Sequence, residues 1–302
     1  MHFKKLPWDT AAISGWVLDP YGEKMSKSKG NVVAPQEIMS KYSADALRWA
    51  ASAAKLGEDA SFQDKELVTG QKFVIKLWNA SKFCGMHLKE YNGEKPNKLE
   101  VIDQWILSKM NTLVKQSIEN YDHYEYSKTR HEVEVFFWHS FCDNYLEIAK
   151  YRLYGADAEK KKSAQYALYH VLLAVVKLMA PVTPHITEEV YQQYFVQPEA
   201  KSVHLSAWPV FDKKLSDAAA EKMGDAAVSI IGVVRKYKSQ RGKPLNAEIQ
   251  EVHVQSSEKD FEKVLNGIEQ DVRAVLHAEK IVIGGKADLS CEGTNLKVGL
   301  VE

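Results

Sequence analysis

The sequence predicts a mainly α-helical protein: an antiparallel helical bundle, preceded by a small β-α-α unit and followed by a small α/β module. Three observations predict it. Residues 61–212 hold few glycines and repeat their apolar positions at the period of packed helices. Residues 1–60 set an apolar, β-rich stretch and a turn ahead of two short helical segments. Residues 213–302 switch between helical periodicity and strand-like alternation. The expected organisation is three parts, 1–60, 61–212 and 213–302, and 302 residues suffice for about two or three domains.

In the first part, "AISGWVLD" reads as a strand and "PYGE" as a turn, so the stretch that follows sits just past a hairpin-like tip. Pro35 suits the first turn of a short helix, and Ser43 caps a second, "ADALRWAASAA". The second part gives helices near 64–88, 101–120, 127–153, 162–179 and 184–195, with "YNGEKPNK" as the clearest connector. Phe136, Phe137, Phe141, Tyr145 and Ile148 give the third of these an apolar stripe. The fourth is apolar almost all round and belongs at the centre of a bundle. Thr183 followed by Pro184 marks the start of the fifth, with Thr183 as its cap. Trp49, Trp78, Trp105 and Trp138 lie inside amphipathic helices and read as core anchors. The third part gives a helix near 217–238, the strand "IQEVHVQ", a helix in "DFEKVLNGIEQDVRAVLHA", and the strands "EKIVIGG" and "TNLKVGLVE".

Composition excludes several classes of function. Hydrophobic content of 45% with 26% charged residues is ordinary for a globular protein. The 40 basic and 40 acidic residues cancel, so a polyanion would be held by local patches. Three scattered cysteines imply no disulfide framework and suit a reducing compartment; cytoplasm is the expected location. His139 and Cys142 have ligand-like spacing without a second pair, so no metal site is expected. The most apolar run, 167–180, is too short to span a bilayer and holds His170 and Lys177.

The residues that bear chemistry begin at Lys24, where the chain reads "KMSKSKGN". Three lysines and two serines without an acid are the chemistry of an anion site. Lys24, Lys27 and Lys29 supply mobile positive charge, Ser26 and Ser28 supply hydroxyl donors, and Gly30 lets the backbone bend close to a ligand. The spacing does not fit the nucleotide loop G-x-x-x-x-G-K-[ST]. A cationic loop of this kind can grip a triphosphate and follow charge onto a leaving pyrophosphate. A solvated surface loop is the plain alternative.

"GWVLDPYGEKMSKSKGNVVAPQEIMSKYSADALRWAAS" resembles the signature-loop region of class I aminoacyl-tRNA synthetases: strand, K-M-S-K-S, Gly-Asn, a proline-started helix and the Ala-Asp-Ala-Leu-Arg segment. "KLWNASKF", "DQWILSKMN", "FWHSFCDNYLEIAKYRL" and "LMAPVTPHITEEVYQ" narrow the likeness to the valyl-tRNA synthetases. It covers residues 6–212 well and 213–302 less well. The family's other nucleotide signature, His-x-Gly-His, is absent from the chain, which therefore resembles the C-terminal portion of such an enzyme. Alone it is not expected to form aminoacyl-adenylate or to hold a cofactor tightly.

The resemblance implies ATP with Mg2+ and valine as partners of the full-length enzyme, and tRNA, tRNA(Val) in particular, as partner of this chain. It implies neither DNA nor membrane binding. It assigns ATP contacts to Lys24, Met25, Ser26, Lys27 and Ser28, with Lys27 and Lys24 catalytic. It places a helix carrying Lys72, Lys76, Asn79 and Phe83 against the anticodon. Those residues, spaced four, three and four apart, share one helix face that offers charge, an amide and a ring; Phe83 reads equally as core. A second helix brings Asp143, Asn144 and Tyr145 near, with Tyr145 again either core or contact. Arg235, Lys236, Lys238, Arg241 and Lys243, interleaved with Tyr237, form a basic run without an acid. It suits RNA phosphates, or simply the negative end of a helix dipole. The alternatives are the equivalent portion of an isoleucyl or leucyl enzyme, or a non-catalytic interaction module of synthetase descent.

Overall fold

The computed structural model describes residues 5–257 and 260–301; Glu302, the last residue of the final strand expected from the sequence, lies outside the described residues. In chain order the first elements are β1 (Val17–Leu18), α1 (Pro35–Met39), α2 (Ala44–Ala51), β2 (Ala60–Ser61), α3 (Asp64–Leu88), α4 (Val101–Asp122) and α5 (Tyr126–Val135). A π-helical stretch, Phe136–Tyr145, leads into α6 (Leu146–Tyr154), α7 (Ala158–Met179) and α8 (Pro184–Tyr194). The rest is α9 (Ala218–Gln240), β3 (Ile249–Ser256), α10 (Phe261–Leu276), β4 (Ala278–Ile283), β5 (Leu289–Ser290) and β6 (Leu296–Val301). The chain forms two compact units, one of residues 1–82, 115–134 and 175–209, the other of 83–114, 135–174 and 210–302. The fold is mainly helical with a small sheet, as the sequence predicts.

In the first unit β1 pairs in parallel with β2, and α1 and α2 lie between them in sequence. The strand expected across 12–19 shortens to two residues, because its one ladder partner is itself only two residues long. Pro35 opens α1 as expected. The Ser43 hydroxyl accepts from the Ala46 N–H at 3.2 Å, capping α2. Trp49 on α2 is fully buried, with Phe73 at 4.6 Å between ring centroids and the Arg130 guanidinium 4.6 Å from its ring. Gly70 permits this: a Cβ there would lie 2.7 Å from the Trp49 side chain.

The second unit contains a four-stranded sheet of order β4-β3-β6-β5. β3 and β4 are parallel, joined through α10, whereas β3–β6 and β6–β5 are antiparallel. Phe261, Val264, Leu265, Ile268, Val272 and Leu276 are buried at helical spacing, so α10 presents one apolar stripe to α9, α6 and β4. Gly224 on α9 leaves room for Trp105, whose ring a Cβ would strike, and the Trp105 indole N–H donates to Asp225 at 2.9 Å.

Beneath α10 lies a buried polar cluster. The Asp103 carboxylate accepts from the Tyr145 hydroxyl at 2.7 Å, from Arg152 at 2.5 Å and from Ser163 at 2.5 Å. Arg152 also lies 3.1 Å from Asp271, an ion pair not aligned as a hydrogen bond. Each charge is paired, which is the condition for keeping ions out of water. Burial, and then the Asp103 charge, push the Tyr145 hydroxyl far above its ordinary range. Burial pushes the Asp271 carboxyl up to about 6 despite Arg152. An unfolded aspartate titrates near 3.9. A raised folded value means that this group's stabilising contribution is full below about pH 4 and is lost as pH rises through about 6. Asp271→Asn should remove that component: the wild-type-minus-variant difference in urea unfolding free energy should shrink between pH 4 and pH 7.

Candidate functional site

The cationic loop lies wholly in the first unit. Its base is a bracket built on Asp19, which is 3% exposed. One carboxylate oxygen accepts from the N–H groups of Tyr21 and Glu23 at 3.0 and 2.8 Å, and the other from the Asn31 amide at 2.9 Å. The Asn31 hydrogen bond, and then the Glu23 N–H, hold the Asp19 carboxyl below its usual range. Asn31 also donates to the Lys24 carbonyl at 3.2 Å and accepts from the Ser26 N–H at 2.9 Å. The start and end of "KMSKSKGN" are thereby tied together.

Between those ties, Lys27–Lys29 form one 3-10 turn. Ser26 caps it, accepting from the Lys29 N–H at 3.3 Å, and Gly30 ends it in the left-handed region at φ 69°. The Ser26 and Ser28 hydroxyls lie 3.2 Å apart. The three lysines have different surroundings. Lys24 sits 4.3 Å from the centroid of the Trp16 ring. Lys29 pairs with Glu23 at 3.3 Å, an exposed pair of small energetic worth. The Lys27 side chain is exposed, and its ammonium has no hydrogen-bond or ion-pair partner among the described residues. Met25 is half-buried and turns inward toward the apolar pocket that also holds Val33 and Ile38.

Long-range contacts seat α2, the second helix after this loop, against the start of α8. Asp45 on α2 accepts from the N–H groups of His185 and Ile186 at 3.2 and 2.7 Å and so caps α8. Thr183, expected to be that cap, instead donates its hydroxyl back to the Met179 carbonyl at 3.3 Å. One turn along α2, Arg48 donates to the Pro181 and Val182 carbonyls at 2.7 and 3.2 Å. An acid placed three residues before a base in "ADALR" is the only local sign of this arrangement.

On α3, Lys72 and Asn79 are exposed, and Lys76 and Phe83 are half-buried. Phe83 meets His87 edge-on at 4.8 Å, with the Lys150 ammonium 6.0 Å from its ring. Burial, aided by Lys161, lowers the His87 pKa and keeps that ring neutral. Asp143 is exposed, its carboxylate 3.4 Å from His139 and its carbonyl accepting from Arg235 at 2.9 Å. Asn144 donates to the His139 carbonyl at 2.8 Å. Tyr145 requires a correction: it is fully buried, and its hydroxyl is spent on Asp103 and the Ala164 carbonyl, so no ligand on the surface can reach it.

The basic run on α9 divides in the same way. Lys236 is exposed and pairs with Glu292 at 2.9 Å, and Arg241 stacks 4.5 Å from the Tyr237 ring. Arg235 is half-buried. Lys238 is the second correction: it is 2% exposed and donates to the carbonyls of Leu245, Ala247 and Leu276 at 2.9, 2.6 and 2.9 Å. It is an internal strut and cannot touch a phosphate. Cys142 is buried whereas His139 is exposed, and no cluster of three or more metal-ligating side chains occurs among the described residues. No helix among them is long and apolar enough to cross a membrane.

The first unit thus carries a capped cationic turn, and its part of α3 carries an exposed lysine and an exposed amide, Lys72 and Asn79. Residues 103–254 match the anticodon-binding domain of tRNA ligases, and residues 1–63 match the class I tRNA synthetases of the isoleucine, leucine, methionine and valine group. The chain belongs to the class I tRNA ligases that carry this anticodon-binding domain. Within that class it is similar to the valine–tRNA ligase of Thermococcus kodakarensis, 42% identical over 94% of this chain and 32% of the relative. The valine–tRNA ligase of Methanocaldococcus jannaschii is 38% identical over 94% of this chain and 32% of the relative. The chain thus spans about a third of the length of the curated relatives it matches. A LeuRS of Agrobacterium radiobacter K84, solved as a ternary complex with tRNA and LeuAMS, shares the fold: TM-score 0.55 and 16% identity over 96% of this chain and 32% of that one.

The Asp45 cap is open to test. Asp45→Ala should cost ~0.5–2 kcal/mol, the usual range for a lost helix cap, in chemical denaturation. It should also speed hydrogen exchange at the His185 and Ile186 amides more than elsewhere in α8.

Proposed function

We propose that this chain is the signature-loop and anticodon-binding portion of a valine–tRNA ligase. Residues 1–60 would carry the loop, 61–212 the anticodon-binding bundle, and 213–302 an appended module. The parent enzyme would work in the cytoplasm, join valine to tRNA(Val) and consume ATP. The observation that carries the reading is the state of Lys27: a solvent-facing ammonium on a turn that Ser26, Gly30 and Asn31 hold in shape. A loop built that firmly to display one unpaired cation fits a polyphosphate.

The chemistry follows from that placement. The valine carboxylate attacks the α-phosphorus of ATP; a C–O–P linkage forms, the bond to the bridging oxygen breaks, and pyrophosphate leaves. Negative charge grows on the departing phosphates, where Lys27 would stabilise it more in the transition state than in the ground state. Lys24 would assist by leaving the Trp16 ring, a contact worth ~0.5–1 kcal/mol at an exposed site, for a stronger partner. Ser26 and Ser28 would donate hydroxyls to phosphate oxygens, and Met25 would keep the loop seated. The loop is cationic, so it suits phosphate rather than a metal; Mg2+ would arrive with ATP. On α3, Lys72, Lys76 and Asn79 of the first unit would face anticodon bases, and in the second unit Phe83 and Asp143 would contact RNA. Arg235, Lys236 and Arg241 would meet backbone phosphate.

Two measurements test this reading. The 302-residue chain should bind tRNA(Val) in preference to tRNA(Ile), and exchanging the anticodons should reverse the preference. Equal affinities at every salt concentration would exclude it. In a full-length ligase containing this chain, Lys27→Ala should slow pyrophosphate exchange ~10²–10³-fold, as for loss of one preorganised charge contact, while tRNA affinity stays constant. Equal losses in both would place the lysine outside the adenylation step.

A further inference from the structure

The second unit has a concave pocket of about 470 Å3 between α6, α9, the loop before β3 and the end of α10. That volume lies in the range of small-molecule sites. Tyr151 and Tyr154 on α6 line it and are 43% and 68% exposed. Neither hydroxyl has a hydrogen-bond partner among the described residues. Large aromatic side chains of this unit such as Phe137, Phe141 and Tyr145 are sealed in its core, so two adjacent open rings at one concavity stand apart.

Three features indicate what the pocket holds. The first is a row of rings. Tyr154 meets His87 edge-on at 4.8 Å, and His87 meets Phe83 edge-on at 4.8 Å, so three rings in edge contact lead from α3 to the pocket. The second is charge. Arg235, Lys150 and Glu147 line the same pocket, and since Glu147 pairs with Lys150, the cation it presents is Arg235. Arg235 is fixed by donating to the Asp143 carbonyl at 2.9 Å, and Lys150 is held by Glu147 at 2.7 Å. The third is rigidity. Buried Lys238 bonds the carbonyls of Leu245, Ala247 and Leu276, binding two pocket walls to one ammonium. A wall braced by a buried charge is preformed. Asn246, next to two of those carbonyls, contributes an amide to the rim.

Flat apolar faces, a polar edge and a cation at one side match an RNA base with its phosphate attached. We infer that this pocket takes one unstacked base of the bound RNA, stacked on Tyr154 with Arg235 at its phosphate. The inference rests on the RNA-binding reading above and adds to it a base site on α6, separate from the α3 residues.

The test uses the 302-residue chain and a tRNA(Val) transcript, with Tyr154→Leu, Tyr154→Phe and Arg235→Ala. Tyr154→Leu should weaken binding about tenfold, within the span measured for loss of one base–aromatic stack. Tyr154→Phe should restore it. The slope of log affinity against log salt should stay constant for both Tyr154 variants and become shallower by about 0.7 in Arg235→Ala. Tyr154→Phe keeps the edge contact with His87 and should melt with wild type, and Tyr154→Leu should melt only slightly lower, because Tyr154 is 68% exposed. Wild-type binding with Tyr154→Leu unchanged overturns the base site and leaves the RNA-binding reading standing. Equal loss in Leu and Phe variants overturns stacking. A wild-type chain that binds no RNA overturns both.

Discussion

The first unit depends on the Asp45 carboxylate. It is 2% exposed, a position that would be very costly for an unpaired charge. It is tolerated because it faces the N-terminus of α8, where two backbone N–H groups and the positive end of the helix dipole await an anion. Pro184 at the first turn has no N–H of its own to satisfy, which leaves the next two for Asp45. Arg48 performs the opposite task, taking the Pro181 and Val182 carbonyls. A single turn of α2 therefore supplies both signs to one bend. Because α2 follows the cationic loop by only a dozen residues, the loop is carried on a firmly seated element.

The lysines show how a chain with no net charge can still set out local positive charge. Each lysine has the same intrinsic charge, and surroundings decide its use. Lys24 rests on an indole, Lys29 on a carboxylate, Lys27 on nothing, and Lys238 inside a cage of carbonyls. An ammonium shared among three carbonyls cannot also serve solvent, and burial lowers its pKa. The cationic strength of a basic run is thus set by tertiary structure rather than by the number of basic letters.

The same point explains what was legible in the sequence. The helix expected at 64–88 has those bounds, because its apolar period is unbroken and "YNGEKPNK" stops it. Pro35 and Ser43 placed two short helices correctly, since a ring-fixed φ and a hydroxyl cap are local signals. The loop motif was recognisable because its chemistry is contiguous. The misreadings lie where the decisive partner is remote. The cap of α8 comes from 140 residues away, the partner of the Tyr145 hydroxyl from 42, and one carbonyl on Lys238 from 38. Tyr151 and Tyr154 passed unnoticed for a related reason: on an amphipathic helix, open and buried tyrosines share one spelling.

The π-helical stretch sets the phase of the helix that follows it. At Leu146 the backbone N–H reaches back five residues, to the Phe141 carbonyl, rather than four. Were the same residues to close to ordinary four-residue bonds, each would add about 100° instead of the smaller step of the wider turn, and everything after the stretch would rotate about the axis. Arg152 would swing off Asp103 and Tyr154 off His87 together. The wide turn is therefore part of the register of this helix: it sets the angle at which α6 presents both side chains.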